Sequence, residues 1–113
     1  MTVFSPDSTA TDTAVIQVGR TLDYRTATEF KWLCQQQLSQ GVNSFILDFS
    51  GTFALDSTGL GAIFSVYRQV NPQGGRIALA SVTRPVEVVM ELTKASRLFP
   101  QYETVAEASS SRT

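Results

Sequence analysis

The chain has 113 residues and a net charge of −1, enough for one hydrophobic core and too few for two, since cores usually reach ~100–150 residues before a chain splits. Apolar residues make up 42% and charged residues only 17%, which excludes disorder of the whole and leaves a surface rich in Ser, Thr and Gln. That charge balance supplies no basic field for nucleic acid or an anionic membrane.

In chain order, Val3 and Phe4 form a short edge strand, and Ser5 to Thr13 reads as a polar loop around one proline. Ala14 to Val18 reads as a strand, with a turn region at Gly19–Asp23. Ala27, Phe30, Leu33, Cys34 and Leu38 then recur at helical spacing, and Gly41 stands where helices stop. Phe45, Ile46, Leu47 and Phe49 form the nearly continuous apolar run of a central strand covered on both faces. Gly51 to Thr58 reads as a loop. Leu60, Ile63, Phe64, Tyr67 and Val70 give a second helix, ended by Asn71-Pro72 and Gly74-Gly75. Ile77 to Ala80 is another buried strand. Pro85 opens a third helix carrying Val86, Val89 and Met90. Leu98-Phe99-Pro100 breaks that helix, Tyr102 to Val105 adds a final strand, and residues 109–113 form a frayed polar tail.

Short strands alternating with helices predict one α/β domain over residues 1–113. Its sheet is mixed but mostly parallel, of four to five strands, flanked by helices. Loops that follow parallel strands gather at the carboxyl edge, where open α/β sheets place their sites. Asp23, Ser57 and Ser81 are expected near that edge.

Several chemistries are excluded. Without histidine, no Ser-His-Asp or Cys-His catalysis and no His-ligated metal is available. The single cysteine, Cys34, excludes internal disulfides and thiolate zinc clusters; on the apolar stripe of the first helix it reads as a buried, inert thiol. No apolar stretch reaches the ~18–20 residues of a membrane span. The opening MTVFSPDSTATDT lacks the basic and apolar regions of a signal peptide, so a cytoplasmic protein without metal or cofactor is expected. Trp32 falls off the apolar stripe and is expected to be partly exposed, as a contact surface allows.

The segment Leu55-Asp56-Ser57-Thr58-Gly59-Leu60-Gly61 carries the most information. Ser57 or Thr58 can cap the helix that follows. A capping box would want Glu or Gln three residues on, yet Leu60 and Gly61 stand there. Two glycines in the first turn cost helix stability and leave backbone open to close approach. A hydroxyl at a helix amino terminus is also a good seat for a phosphoryl group. Neither GxxxxGK[ST] nor GxGxxG is present, so a nucleotide-binding loop is a poor match. Asp23 and Asp56 read either as solvated loop acids or as a carboxylate pair needing a pocket.

Phe45 to Ser50, Phe53 and the Asp56-Ser57-Thr58-Gly59-Leu60-Gly61 segment together resemble the STAS domain, in particular the bacterial anti-sigma-factor antagonists. Leu22-Asp23, Gly74-Gly75-Arg76-Ile77, and the stretch from Leu92-Thr93 to Leu98-Phe99 and Tyr102 agree with the family pattern, over roughly residues 14–108. The resemblance implies a non-enzymatic switch. A GHKL-type serine kinase that is also an anti-sigma factor would phosphorylate Ser57, and a PP2C-type phosphatase would remove the phosphate. Only the unmodified form would bind the anti-sigma factor. Asp23, Asp56, Thr58, Gly59 and Gly61 are the implied partner-binding positions. One departure is Arg20, where the family usually has glycine, with Gly19 one place earlier. A phosphate on Ser57 would find no obvious cation except Arg20 or Arg84. The second reading is a STAS scaffold or regulatory subunit of another assembly, stressosome-like or lipid-transporting, with Ser57 never modified. A small nucleotide-binding or acid–base enzyme is a distant third, lacking His, Lys and metal ligands in the right places.

Overall fold

The computed structural model describes residues 1–5 and 12–111. Its main sheet contains β1 (Thr2–Phe4), β2 (Thr13–Gln17), β4 (Ser44–Asp48), β6 (Ile77–Ala80) and β7 (Gln101–Tyr102), side by side in the order β1-β2-β4-β6-β7. Only β1 runs antiparallel to its neighbour. From β2 onward each new strand is added on the same side of the last. Crossovers of one hand must then all pass over one face of the sheet. The helices α1 (Ala27–Ser39), α2 (Ser57–Val70) and α3 (Arg84–Leu92) accordingly contribute to one core.

The strands alternate with the pleat. Ala14, Ile16, Phe45, Leu47, Ile77 and Leu79 join that large core with Phe30, Cys34, Ile63, Val66, Met90 and Phe99. Val15, Ile46, Ala78 and Ala80 point to the opposite face and meet Ala108, with Val105 and Tyr102 beside it. The cover on that face is α4 (Val105–Ser110), a helix where the sequence reading has the end of a strand and a frayed tail. The Thr104 hydroxyl caps it by accepting from the Glu107 N–H (3.0 Å), and Arg76 Nη2 donates to the Ala108 carbonyl at 2.7 Å. Ser109 and Ser110 belong to its last turn. The expected loop at Ser5–Thr13 lies mostly outside the described residues, and Thr13 already opens β2.

Two further strands place the site. β3 (Thr21–Leu22) and β5 (Ala54–Leu55) form a separate parallel pair, in register Thr21 to Ala54 and Leu22 to Leu55. In the sequence both segments read as loop, because two residues are too short to show a period. Leu22 and Leu55 are buried in the large core, and that burial draws the two loops together. Their C-terminal neighbours, Asp23 and Asp56, thereby come to lie side by side.

Candidate functional site

The amino terminus of α2 is built around Asp56, not around a serine or threonine cap. Asp56 is extended (φ −105°, ψ −179°), and its Oδ1 accepts from the Gly59 N–H at 2.8 Å. Its Oδ2 accepts from the Tyr24 N–H at 3.1 Å, so one carboxylate ties the β3–α1 loop to α2. The Asp56 N–H donates to the Leu22 carbonyl (3.2 Å). With the cap filled by a carboxylate, the exposed side chains of Ser57 and Thr58 are left free of that duty. Ser57 is the first residue of α2, where the helix dipole favours negative charge.

The two glycines of the segment part company. Gly59 is buried, and a Cβ there would lie 2.1 Å from the Leu22 carbonyl oxygen. What approaches its backbone is β3 of the same chain, so the reading of this glycine as open to a partner is corrected. Gly61 is exposed, and among the described residues nothing lies within 4 Å of a Cβ there.

Asp23 sits at the mouth of α1, mostly covered by neighbours. Its Oδ1 accepts from the Arg25 N–H at 2.9 Å, and its Oδ2 takes Arg25 Nη2 at 2.8 Å and Nε at 3.2 Å. The Arg25 side chain is 62% exposed, against 12% for Asp23. The Arg25 guanidinium, donating to Asp23, holds that carboxyl below its ordinary value, with burial opposing. Asp23 in turn raises Arg25, with smaller contributions from Tyr24 and Asp56. Thr26 fixes the turn, accepting from the Asp23 N–H at 3.0 Å and donating to the Thr21 carbonyl at 3.2 Å. The sequence reading named Arg20 and Arg84 as the cations at hand. Arg84 is taken by Glu87 on α3. Arg25, forked onto Asp23, is a further cation at this edge; the Asp-x-Arg spacing in a turn was the available signal.

Threonine hydroxyls stitch the three loops at this edge. Buried Thr52 donates to the Gly19 carbonyl, and Thr83 donates to the Thr52 carbonyl. Tyr24 and Phe53 stand out from this frame, 72% and 65% exposed. Neither was singled out as a contact residue in the sequence. Ser81 lies at the same carboxyl edge, but its hydroxyl donates to the Glu103 carbonyl at 3.0 Å. It lines a different, open cleft of about 330 Å³ with Val82, Glu87, Gln101, Tyr102 and Glu103. Cys34 is fully buried and its thiol is pushed up to about 12 by burial, which leaves it unreactive. Trp32 is 59% exposed on α1.

Residues 5–108 match the sequence profile of the STAS domain. The chain belongs to the STAS domain family. A relative in Thermotoga maritima, named as a candidate anti-sigma factor antagonist, is 32% identical over 98 residues, covering 86% of this chain and 87% of the relative. A crystal structure of such a protein from that organism superposes with a TM-score of 0.82 at 30% identity, over 88% of this chain and 86% of that one. The anti-sigma factor antagonist SpoIIAA in its unphosphorylated form shares the STAS fold at a TM-score of 0.79, with 19% identity over 94% of this chain and 93% of its own. Among the described residues of this STAS domain, no helix is long and apolar enough to cross a membrane.

Proposed function

We propose that this STAS domain is an anti-sigma factor antagonist, a cytoplasmic binding protein rather than an enzyme, switched by phosphorylation of Ser57. Its partner is an anti-sigma factor that is also a GHKL-type serine kinase. That kinase transfers the γ-phosphoryl group of ATP to Ser57 Oγ, with loss of the hydroxyl proton and release of ADP. A PP2C-type phosphatase hydrolyses the phosphoserine and restores the binding form. The observation that carries this reading is the cap at Asp56, which leaves the Ser57 hydroxyl exposed and unspent at the start of α2. Tyr24 and Phe53, exposed on the two loops leading to it, are the residue type that anchors interfaces. Asp23, Asp56, Thr58 and Gly61 complete the contact surface. Gly59 supports it from beneath.

The switch needs no refolding. A phosphoserine adds roughly −1.5 to −2 charges at pH 7. In the free protein, water and the first amides of α2 solvate it. In the complex it would be desolvated beside Asp23 and Asp56, and burying an imperfectly paired charge at an interface costs about 2–5 kcal/mol. That is roughly a 30- to several-thousand-fold loss of affinity. Calorimetry against the purified kinase is the test, using the parent, the phosphorylated protein, Ser57→Ala and Ser57→Asp. Ser57→Ala is expected to bind like the parent and the phosphorylated form weakly, with Ser57→Asp between them. Phosphopeptide mapping should place the label on Ser57 and not Thr58. Equal affinities for all four forms would sink the proposal and leave an unmodified scaffold.

A further inference from the structure

Arg25 is held by one acid and lies beside a second. Its guanidinium forms a fork on Asp23 through Nη2 (2.8 Å) and Nε (3.2 Å), packed 5.9 Å from the centre of the Tyr24 ring. The Tyr24 N–H is bonded to Asp56 Oδ2 at 3.1 Å. Arg25 is the residue after Tyr24 and Ser57 the residue after Asp56, each one step of about 3.8 Å along the backbone. That hydrogen bond ties the loop carrying Arg25 to the first turn of α2, which carries Ser57. Two other arginines, Arg20 and Arg84, belong to neighbouring segments of this edge. Arg84 is engaged by Glu87, and Arg20 is joined to this region through its backbone carbonyl, which accepts from the Phe53 N–H at 2.9 Å.

We propose that Arg25 is the residue that receives the phosphate of modified Ser57, its guanidinium leaving Asp23 for the phosphoserine. The inference deepens the reading of Ser57 as the phosphorylated residue. Three properties favour the transfer. The ligand, a phosphate monoester, carries about twice the charge of a carboxylate and offers three acceptor oxygens in a geometry that a planar guanidinium matches. The Arg25 side chain is 62% exposed, so it can swing without opening the core. Asp23 is also kept in place without the guanidinium, because its Oδ1 still accepts from the Arg25 N–H at 2.9 Å. Modification thus changes the surface at two points. The phosphate gains one positive charge against its own charge of roughly −1.5 to −2, and Asp23, which the unmodified protein keeps neutralised, becomes a bare carboxylate beside it.

The test uses the full chain with phosphoserine incorporated at position 57 during synthesis, so no kinase is required. Phosphorus NMR follows the phosphate titration, and carboxyl carbon NMR follows Asp23, in the parent, Arg25→Gln and Arg25→Lys. A nearby cation lowers the second phosphate pKa, ordinarily about 6, so Arg25→Gln is expected to raise it by roughly 0.5–1 unit. Arg25→Lys, which keeps the charge and loses the fork, should restore part of the difference. Phosphoserine should also move the Asp23 titration upward in the parent, in the direction that Arg25→Gln moves it in the unmodified protein. A phosphate titration identical in parent and Arg25→Gln overturns the proposal. So does an Asp23 titration unmoved by phosphoserine, which would mean that Arg25 stays where it is. Either result leaves the kinase-binding comparison untouched, and a failure of that comparison leaves these titrations readable.

Discussion

At the amino end of α2, a Cβ on Gly59 would lie 2.1 Å from the Leu22 carbonyl oxygen; just past its carboxyl end, a Cβ on Gly75 would lie 1.8 Å from that of Asn43. The same packing device, a glycine pressed on a neighbouring strand or loop, anchors both ends. The surfaces around them differ. Beside Gly75 the polar groups are consumed internally. Ser44 Oγ donates to Asn43 Oδ1 (3.2 Å) and accepts from the Arg76 N–H (3.1 Å), while Arg76 Nη2 reaches the Ala108 carbonyl (2.7 Å). Beside Gly59 the Ser57 hydroxyl and the Tyr24 and Phe53 rings face outward. Tight glycine therefore reports packing at both ends. What marks one end as a site is the chemistry the fold has not already spent.

The largest expected effect tests the shared half of this comparison. No backbone carbonyl can retreat by an ångström without moving its strand, so Gly59→Ala and Gly75→Ala should each cost about 2–4 kcal/mol of stability in urea denaturation. The two should separate in partner binding. Measured at equal folded fraction, Gly75→Ala should bind the kinase normally, and Gly59→Ala should bind weakly, because it pushes β3 and Asp23 away from Ser57. Either variant folding as stably as the parent would break the packing argument.

The sequence made this edge legible in part. Long periodic helices, the three buried strands β2, β4 and β6, and the order of strand and helix were readable because burial imposes a period of 2 or 3.6, whereas the last strand was read as Tyr102 to Val105 and covers only Gln101–Tyr102. Asp56-Ser57-Thr58-Gly59 stood out because Ser, Thr and Gly together before an apolar helical run are locally expensive. The two-residue strands β3 and β5 escaped, since no period fits in two positions; only the shared burial of Leu22 and Leu55 defines them. The roles of Asp56 and Arg25 escaped with them. Each depends on partners brought in by that pairing, Tyr24 over a separation of 32 residues in the case of Asp56. α4 was missed because six residues with one buried alanine show no stripe.

A smaller effect sharpens the contrast between spent and unspent groups. Asp56→Ala removes the acceptor for both the Gly59 and Tyr24 N–H groups and should cost about 1–2 kcal/mol. Asp56→Asn keeps one oxygen for the cap and turns an amide donor toward the other N–H, so it should fall between. Ser57→Ala should change stability by no more than about 0.5 kcal/mol, because its hydroxyl caps nothing. Thermal and urea unfolding of the three variants decides the assignment. A loss of about 1 kcal/mol in Ser57→Ala, with Asp56→Ala silent, would return the cap to the serine and remove the basis for calling its hydroxyl unspent.

The smallest expected effect on stability concerns Gly61, and its sign is opposite. Gly61 lies one turn into α2, exposed, with none of the described residues within 4 Å of a Cβ. An alanine there restricts the unfolded chain and shields helical backbone, so Gly61→Ala should stabilise the fold by up to about 1 kcal/mol. Among the described residues no packing reason accounts for a glycine at this position, in contrast to Gly59. If the partner's backbone lies against this turn, the added methyl group must cost affinity even as it raises the melting temperature. Gly61→Ala is thus expected to melt higher and bind the kinase about tenfold more weakly, the ~1.4 kcal/mol that one poorly accommodated methyl at a packed interface can cost. Melting and calorimetry on the same sample read both signs at once. A variant that melts higher and binds as tightly as the parent would remove Gly61 from the contact surface and confine it to the turns nearer Ser57.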